Sequence, residues 1–163
     1  MKTDKQLLTA AAANVAITME IKASIAQTWS AMIDDIGLWW RKDFLVCEGS
    51  LGMRLEPRIG GKMYEALEGD GGFVWGNVIS FQPNKHLAYV AQVVPPWGGP
   101  AQSVVQIALE SNSSSSKSTT LTLTDSLIGH VTEELLSCLD EGWRQLYGEG
   151  GLKSHVESIT CTG

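Results

Sequence analysis

Near the end of the chain, Val131, Leu135, Leu139, Trp143 and Leu146 recur at helical spacing, while Glu133, Glu134, Asp140, Glu141, Arg144 and Gln145 fall on other faces. The pattern predicts a helix over 131–146 with a broad apolar stripe, and such a stripe must lie against an apolar surface of matching size. The residues before it read almost wholly as strands, so the helix has a sheet to cover. That requirement narrows the chain to an α+β arrangement with the helix packed on one sheet face.

The strands follow from period and punctuation. Val15, Ile17, Met19 and Ile21 alternate with Ala16, Thr18, Glu20 and Lys22, which predicts a first strand with one buried face. Ser24 stands three residues before Gln27, a capping-box spacing that starts a helix whose apolar face is Ile25, Trp29, Met32 and Ile33, and Ile36 to Trp40 reads as a second short helix. From Ser50 to Val94, breaks at Pro57 to Gly61, Gly69 to Gly72 and Pro83 to Lys85 separate four strand-length segments, 51–56, 62–68, 73–82 and 86–94. The Asp70-Gly71 pair suits a tight hairpin because glycine accepts positive φ. Pro95 to Pro100 reads as a loop, 102–109 as a sixth strand, Ser111 to Ser118 as a solvated serine loop, and Thr119 to Thr124 as a seventh strand. The expected architecture is a curved seven-stranded antiparallel sheet wrapped around the long C-terminal helix, with one or two short helices after the first strand. Residues 1–13 read as a mobile tail, 14–158 as a single domain and 159–163 as a second tail.

Charge and composition exclude several classes. The formal charge is −6 and no basic run exceeds Arg41-Lys42, which argues against nucleic acid and against an anionic membrane surface as partners. No apolar run approaches the roughly 20 residues that span a bilayer. Cys47, Cys138 and Cys161 are odd in number and far apart, as expected of reduced thiols in a cytoplasmic protein, and no Cys or His spacing suits a metal. His86, His130 and His155 form no ligand pair, no nucleophile has an activating neighbour, and the glycine groups do not open a βαβ helix. No catalytic group, cofactor or metal is expected.

One set of residues carries a resemblance. Ala26-Gln27-Thr28-Trp29, Trp39-Trp40, Glu56-Pro57-Arg58-Ile59-Gly60-Gly61-Lys62 with Glu65, Trp75-Gly76-Asn77-Val78 before Pro83 and Leu87, and Gly142-Trp143 leading to Leu152-Lys153 resemble the SRPBCC or START-like superfamily, over residues 14–157. Within it the chain is similar to bacterial proteins related to the C-terminal domain of the activator of heat-shock protein 90 ATPase. The resemblance implies the helix-grip fold and spans lipid carriers, hormone receptors, polyketide cyclases and co-chaperones, so it does not select an activity. The chain departs from the pattern at Gly148-Glu149-Gly150-Gly151, where a kink or break is expected in the long helix.

The six tryptophans are the strongest functional cue. Each offers a large apolar surface and one N–H donor, which suits a pocket for a bulky apolar or aromatic molecule. The expected lining is Trp39, Trp40, Met53, Met63, Phe73, Trp75, Tyr89, Trp97, Leu135, Leu139 and Trp143, although strand alternation leaves the choice of face open. The first functional expectation is therefore non-enzymatic binding of a small hydrophobic ligand between sheet and helix. The alternatives are a co-chaperone acting on a chaperone ATPase, as the resemblance implies, with a chaperone or a second copy of the chain as partner, and a cyclase or hydrolase. The last requires a polar group inside the cavity, for which Tyr64, Glu65 and Tyr89 are the candidates. Glu56 to Gly61 reads as a turn whose charges pair at a strand end.

Overall fold

The computed structural model describes residues 4–112 and 115–161. The elements run β1 (Ala11–Ile21), α1 (Ile25–Asp34), α2 (Ile36–Trp39), β2 (Met53–Leu55), β3 (Lys62–Ala66), β4 (Gly72–Gln82), β5 (His86–Val93), β6 (Ala101–Asn112), β7 (Ser115–Gly129), α3 (Glu133–Tyr147) and α4 (Leu152–Thr160). The strands form one seven-stranded sheet in the order β1-β7-β6-β5-β4-β3-β2, antiparallel at every pairing. This is the α+β helix-grip fold. From β3 to β7 each strand pairs with the one before it, and β1 closes the far edge on β7.

Local chemistry explains the element ends. At the start of α1 the Ser24 hydroxyl accepts from Gln27 N and the Gln27 side chain accepts from Ser24 N, so two otherwise orphaned donors are satisfied reciprocally. Thr132 caps α3 with a single bond, its hydroxyl accepting from Leu135 N. Between β2 and β3, Glu56 accepts from the Arg58 side chain and from Lys62 N, and a Cβ on Gly61 would lie 2.1 Å from Glu56 O. The charged turn is thus structural.

The long C-terminal helix is broken, as its glycines imply. α3 ends at Tyr147 and α4 resumes at Leu152. Added Cβ atoms would stand 2.3 Å from Arg144 O at Gly148 and 1.8 Å from Leu146 O at Gly151, and Gly150 has φ +86. No residue with a side chain fits the first and last of these positions without moving the backbone.

Other boundaries differ from the sequence reading. β1 starts at Ala11, before the apolar alternation, because Ala11 pairs with Gly129, Ala12 with Ile128 and Ala13 with Leu127. Of the expected tails, 1–3 and 162–163 lie outside the described residues, 11–13 belong to β1, and 159–160 belong to α4. The serine composition predicts a loop over 111–118, yet Ser111 pairs with Thr119 and Asn112 with Ser115, so the arms of that segment are strand. Its tip, 113–114, lies outside the described residues. Tertiary pairing with β6 outweighs the weak strand preference of serine here.

The apolar interior falls into two clusters. The larger joins the inner sheet face, including Ile17, Ile21, Val105, Ile107, Leu121 and Leu123, to α1, α2, α4 and the end of α3. The smaller, Val93, Ala101, Leu127 and Leu135 with Trp97 and Leu139 against it, lies under the first half of α3. The space between these clusters is where the candidate site lies.

Candidate functional site

Between α3 and the sheet there is a cavity of approximately 220 Å³. Its wall is largely apolar, with Val93, Val105, Leu135 and Leu139 among the lining residues and Trp75, Trp97 and Trp143 supplying aromatic surface. For comparison, an engineered apolar cavity of about 150 Å³ accepts benzene. The space admits one ring with a short substituent and is smaller than the roughly 300 Å³ at which drug-sized sites begin.

The sheet aims its side chains there through alternation and one bulge. On β5, β6 and β7 the inward residues Tyr89, Val105 and Asp125 lie side by side, Tyr89 paired with Val105 and Val105 with Asp125. On β4, Val74 pairs with Tyr64 and Gly76 with Met63, which leaves Trp75 as the extra residue of a bulge. The bulge turns Trp75 inward beside Gly76, whose missing side chain makes room for the Tyr89 ring: a Cβ would sit 2.7 Å from Tyr89 Cδ2. Trp75 stacks on Trp97 with centroids 5.3 Å apart and planes 21° from parallel. Phe73 meets both rings edge-on at 5.7 and 5.2 Å.

Two carboxyls sit behind this aromatic wall. Glu65 is 0 % exposed and accepts from Val46 N at 2.8 Å, Cys47 N at 3.0 Å and Trp75 Nε1 at 2.8 Å. Burial pushes its carboxyl up, and the converging donors outweigh burial and hold it below the usual range. Glu65 is therefore a bracket that ties the 45–47 loop and the Trp75 ring to β3. Asp125 is 1 % exposed and lines the cavity, accepting from Ser103 Oγ and, at 3.0 Å, from Trp143 Nε1. Burial raises its carboxyl, and these two donors offset the rise only in part. Tyr89, also 1 % exposed, has a fully buried hydroxyl next to Tyr147, and burial beside Tyr147 and Asp125 raises it well above the usual phenol value.

Of the side chains singled out from sequence, Met63, Trp75, Tyr89, Trp97, Leu135, Leu139 and Trp143 come together around the cavity. Trp40 instead lines a neighbouring apolar cleft of approximately 140 Å³ on the far side of Trp75 and Trp143, together with Phe44, Gly142 and Leu146. Trp39 packs against Trp40 and Tyr147 in the core, and its Nε1 donates to Ala31 O at 3.1 Å. Met53 is buried in the same core, and Phe73 backs the Trp75–Trp97 stack from outside. Tyr64 lines a polar groove along β2 to β4 instead of the cavity. Asp125 and Ser103 are absent from the sequence reading. The signal for Asp125 was present: it continues the alternation of Leu121 and Leu123 and precedes Leu127 in the same phase.

Among the described residues no group of three His, Cys, Asp or Glu is arranged to hold a metal, and no helix is long and apolar enough to cross a membrane.

No family model and no curated protein matches the chain. Solved structures do match, at the level of fold. An uncharacterised protein from Rhizobium leguminosarum is 20 % identical with a TM-score of 0.60, covering 97 % of this chain and 100 % of its own. A protein from Rhizobium loti is 16 % identical with a TM-score of 0.65, over 92 % of this chain and 98 % of the other. The structure of Ara h 8.0201 is 8 % identical with a TM-score of 0.64, over 94 % and 100 %.

Proposed function

We propose that this protein binds a small, mostly apolar or aromatic molecule in the cavity beneath α3. One observation carries the reading: about 220 Å³ of space lined by three tryptophans and several aliphatic side chains is left unfilled between the two core clusters. The space opens to solvent past the exposed Gln92 and Cys138, and a concave, mostly apolar pocket is the usual form of a small-molecule site. A panel of one-ring and two-ring aromatic compounds tests the reading by thermal shift. At a free concentration of 100 times Kd, a binder stabilises the native state by about 2.7 kcal/mol. No shift with any compound counts against it.

A second reading, acid–base turnover of the occupant, is favoured by the carboxyl of Asp125 within the cavity wall. It expects an occupant that wild-type protein alters chemically and an Asp125→Asn variant does not. Membership of the START-like superfamily accords with the fold, and the free thiols Cys47, Cys138 and Cys161 accord with a cytoplasmic setting. Co-chaperone action rests on the sequence resemblance alone. It expects an increased chaperone ATPase rate on addition of this protein.

A further inference from the structure

We infer that the cavity is selective for an organic cation, an aromatic body carrying a protonated amine, with Asp125 as the counter-charge. This deepens the binding reading and rests on it.

The argument starts from the charge of the wall. Asp125 lines the cavity while no Lys, Arg or His does, and none of the ion pairs formed by the described residues includes it. A buried carboxylate needs a cation or a full set of donors, and this one has two donors for two oxygens that can accept about four hydrogen bonds. The unused lone pairs belong to a group on the cavity wall.

The remaining polar capacity also favours a donor. The Ser103 hydroxyl and the Trp143 N–H are already committed to Asp125, and Gln92 stands exposed at the rim, so Asp125 is the one charged group that an occupant meets. An ammonium carries three N–H donors, which can use the lone pairs that Ser103 and Trp143 leave free on Asp125. The rest of the wall attracts positive charge too. Trp75, Trp97 and Trp143 line the space, and aromatic rings around a cation attract it more strongly when the cation is desolvated. The same wall repels a carboxylate, which would face Asp125 across an apolar space with no basic residue to pair with. Size sets the body of the ligand: about 150 Å³ holds benzene, and this cavity has approximately 220 Å³, room for a ring and a two-carbon amine chain.

The test uses four probes of nearly equal shape, titrated calorimetrically into the intact protein at neutral pH: 2-phenylethylamine, 2-phenylethanol, ethylbenzene and 3-phenylpropanoate. The amine is expected to bind about tenfold or more tighter than the alcohol, as a charge-assisted hydrogen bond exceeds a neutral one, with the acid weakest of the four. Asp125→Asn is expected to erase the preference for amine over alcohol while the alcohol still binds. Equal binding of amine and alcohol, or preferred binding of the acid, overturns the inference and leaves the binding reading standing. So does an amine preference that survives in Asp125→Asn. Failure of all four probes on wild-type protein removes the binding reading and this inference with it. The wild-type ranking decides the matter even if the variant does not fold.

Discussion

Glu65 and Asp125 are both carboxyls in the interior, and their surroundings push them in opposite directions. Glu65 receives two backbone N–H groups and the Trp75 indole, which hold it below its ordinary value of 4.5 against the effect of burial. Its contribution to stability is complete above pH 4.5 and is lost as pH falls through the lowered folded value. Replacing it with Gln turns an amide N–H toward donors, and a charged hydrogen-bond set of this kind is worth about 2 kcal/mol. Glu65→Gln is therefore expected to lose about that much in urea unfolding at pH 7 and to flatten the acid limb of the stability curve. Asp125 is raised above its ordinary 3.8 because burial outweighs the bonds from Ser103 and Trp143. Here the folded state holds the proton longer than the unfolded one, so stability is highest with the group protonated and declines as pH rises from 3.8 through the folded value. In a pH series the wild type is expected to lose ground to Asp125→Asn over that window, and parallel curves contradict it. The two residues also show how far sequence reaches. Glu65 was a candidate for cavity chemistry and proves to be a bracket, since the loop that consumes its lone pairs lies 18 and 19 positions away in the chain. The seventh strand was expected to end at Thr124, one residue short of Asp125, and it is pairing with β1 and β6 that carries β7 on to Gly129.

At the scale of elements, α3 and its break are the parts most plainly written in the chain. The stripe at Leu135, Leu139, Trp143 and Leu146 faces inward as its spacing predicts, and the glycines at 148, 150 and 151 separate α3 from α4. These glycines differ from Gly142, which sits inside α3 with an added Cβ meeting Phe44 at an ordinary 3.5 Å. Gly142→Ala is expected to raise stability by about 0.5–1 kcal/mol, the usual gain in a helix interior. Gly151→Ala is expected to cost at least about 2 kcal/mol, because its Cβ would collide with Leu146 O. Chemical denaturation of the two variants checks both signs in one experiment. Less of the sheet detail was visible in advance. The bulge at Trp75 breaks the two-residue period, so alternation alone assigns Phe73 and Trp75 to one face and cannot also place Gly76 and Val78 there. Serines 111 and 118 look like loop by composition, whereas their neighbours on β1 and β7 make them strand, with Ser118 donating to Glu20 across the sheet edge.

For the whole molecule, element order follows from the sequence because the topology is local: six of the seven strands form a meander in chain order, and one amphipathic helix covers it. A cavity has no such signature. It exists where the side chains of two clusters fail to meet, and that depends on the summed volume of residues far apart in the chain. Ala91 lines this space with the smallest of its side chains other than hydrogen, at the level of Ser103 on β6 and Gly76 on β4. Enlarging it to Phe fills the cavity from the sheet side with a ring of the size the site is built to take. The decisive measurement is the quench of tryptophan fluorescence on titration with 2-phenylethylamine and 2-phenylethanol, in wild type and in Ala91→Phe, with cooperative unfolding of the variant confirming its fold. A ligand held beneath α3 predicts saturable quenching by at least one compound in the wild type and its loss in the folded variant. Wild-type protein that shows no saturation, or an Ala91→Phe variant that binds as the wild type does, contradicts the account.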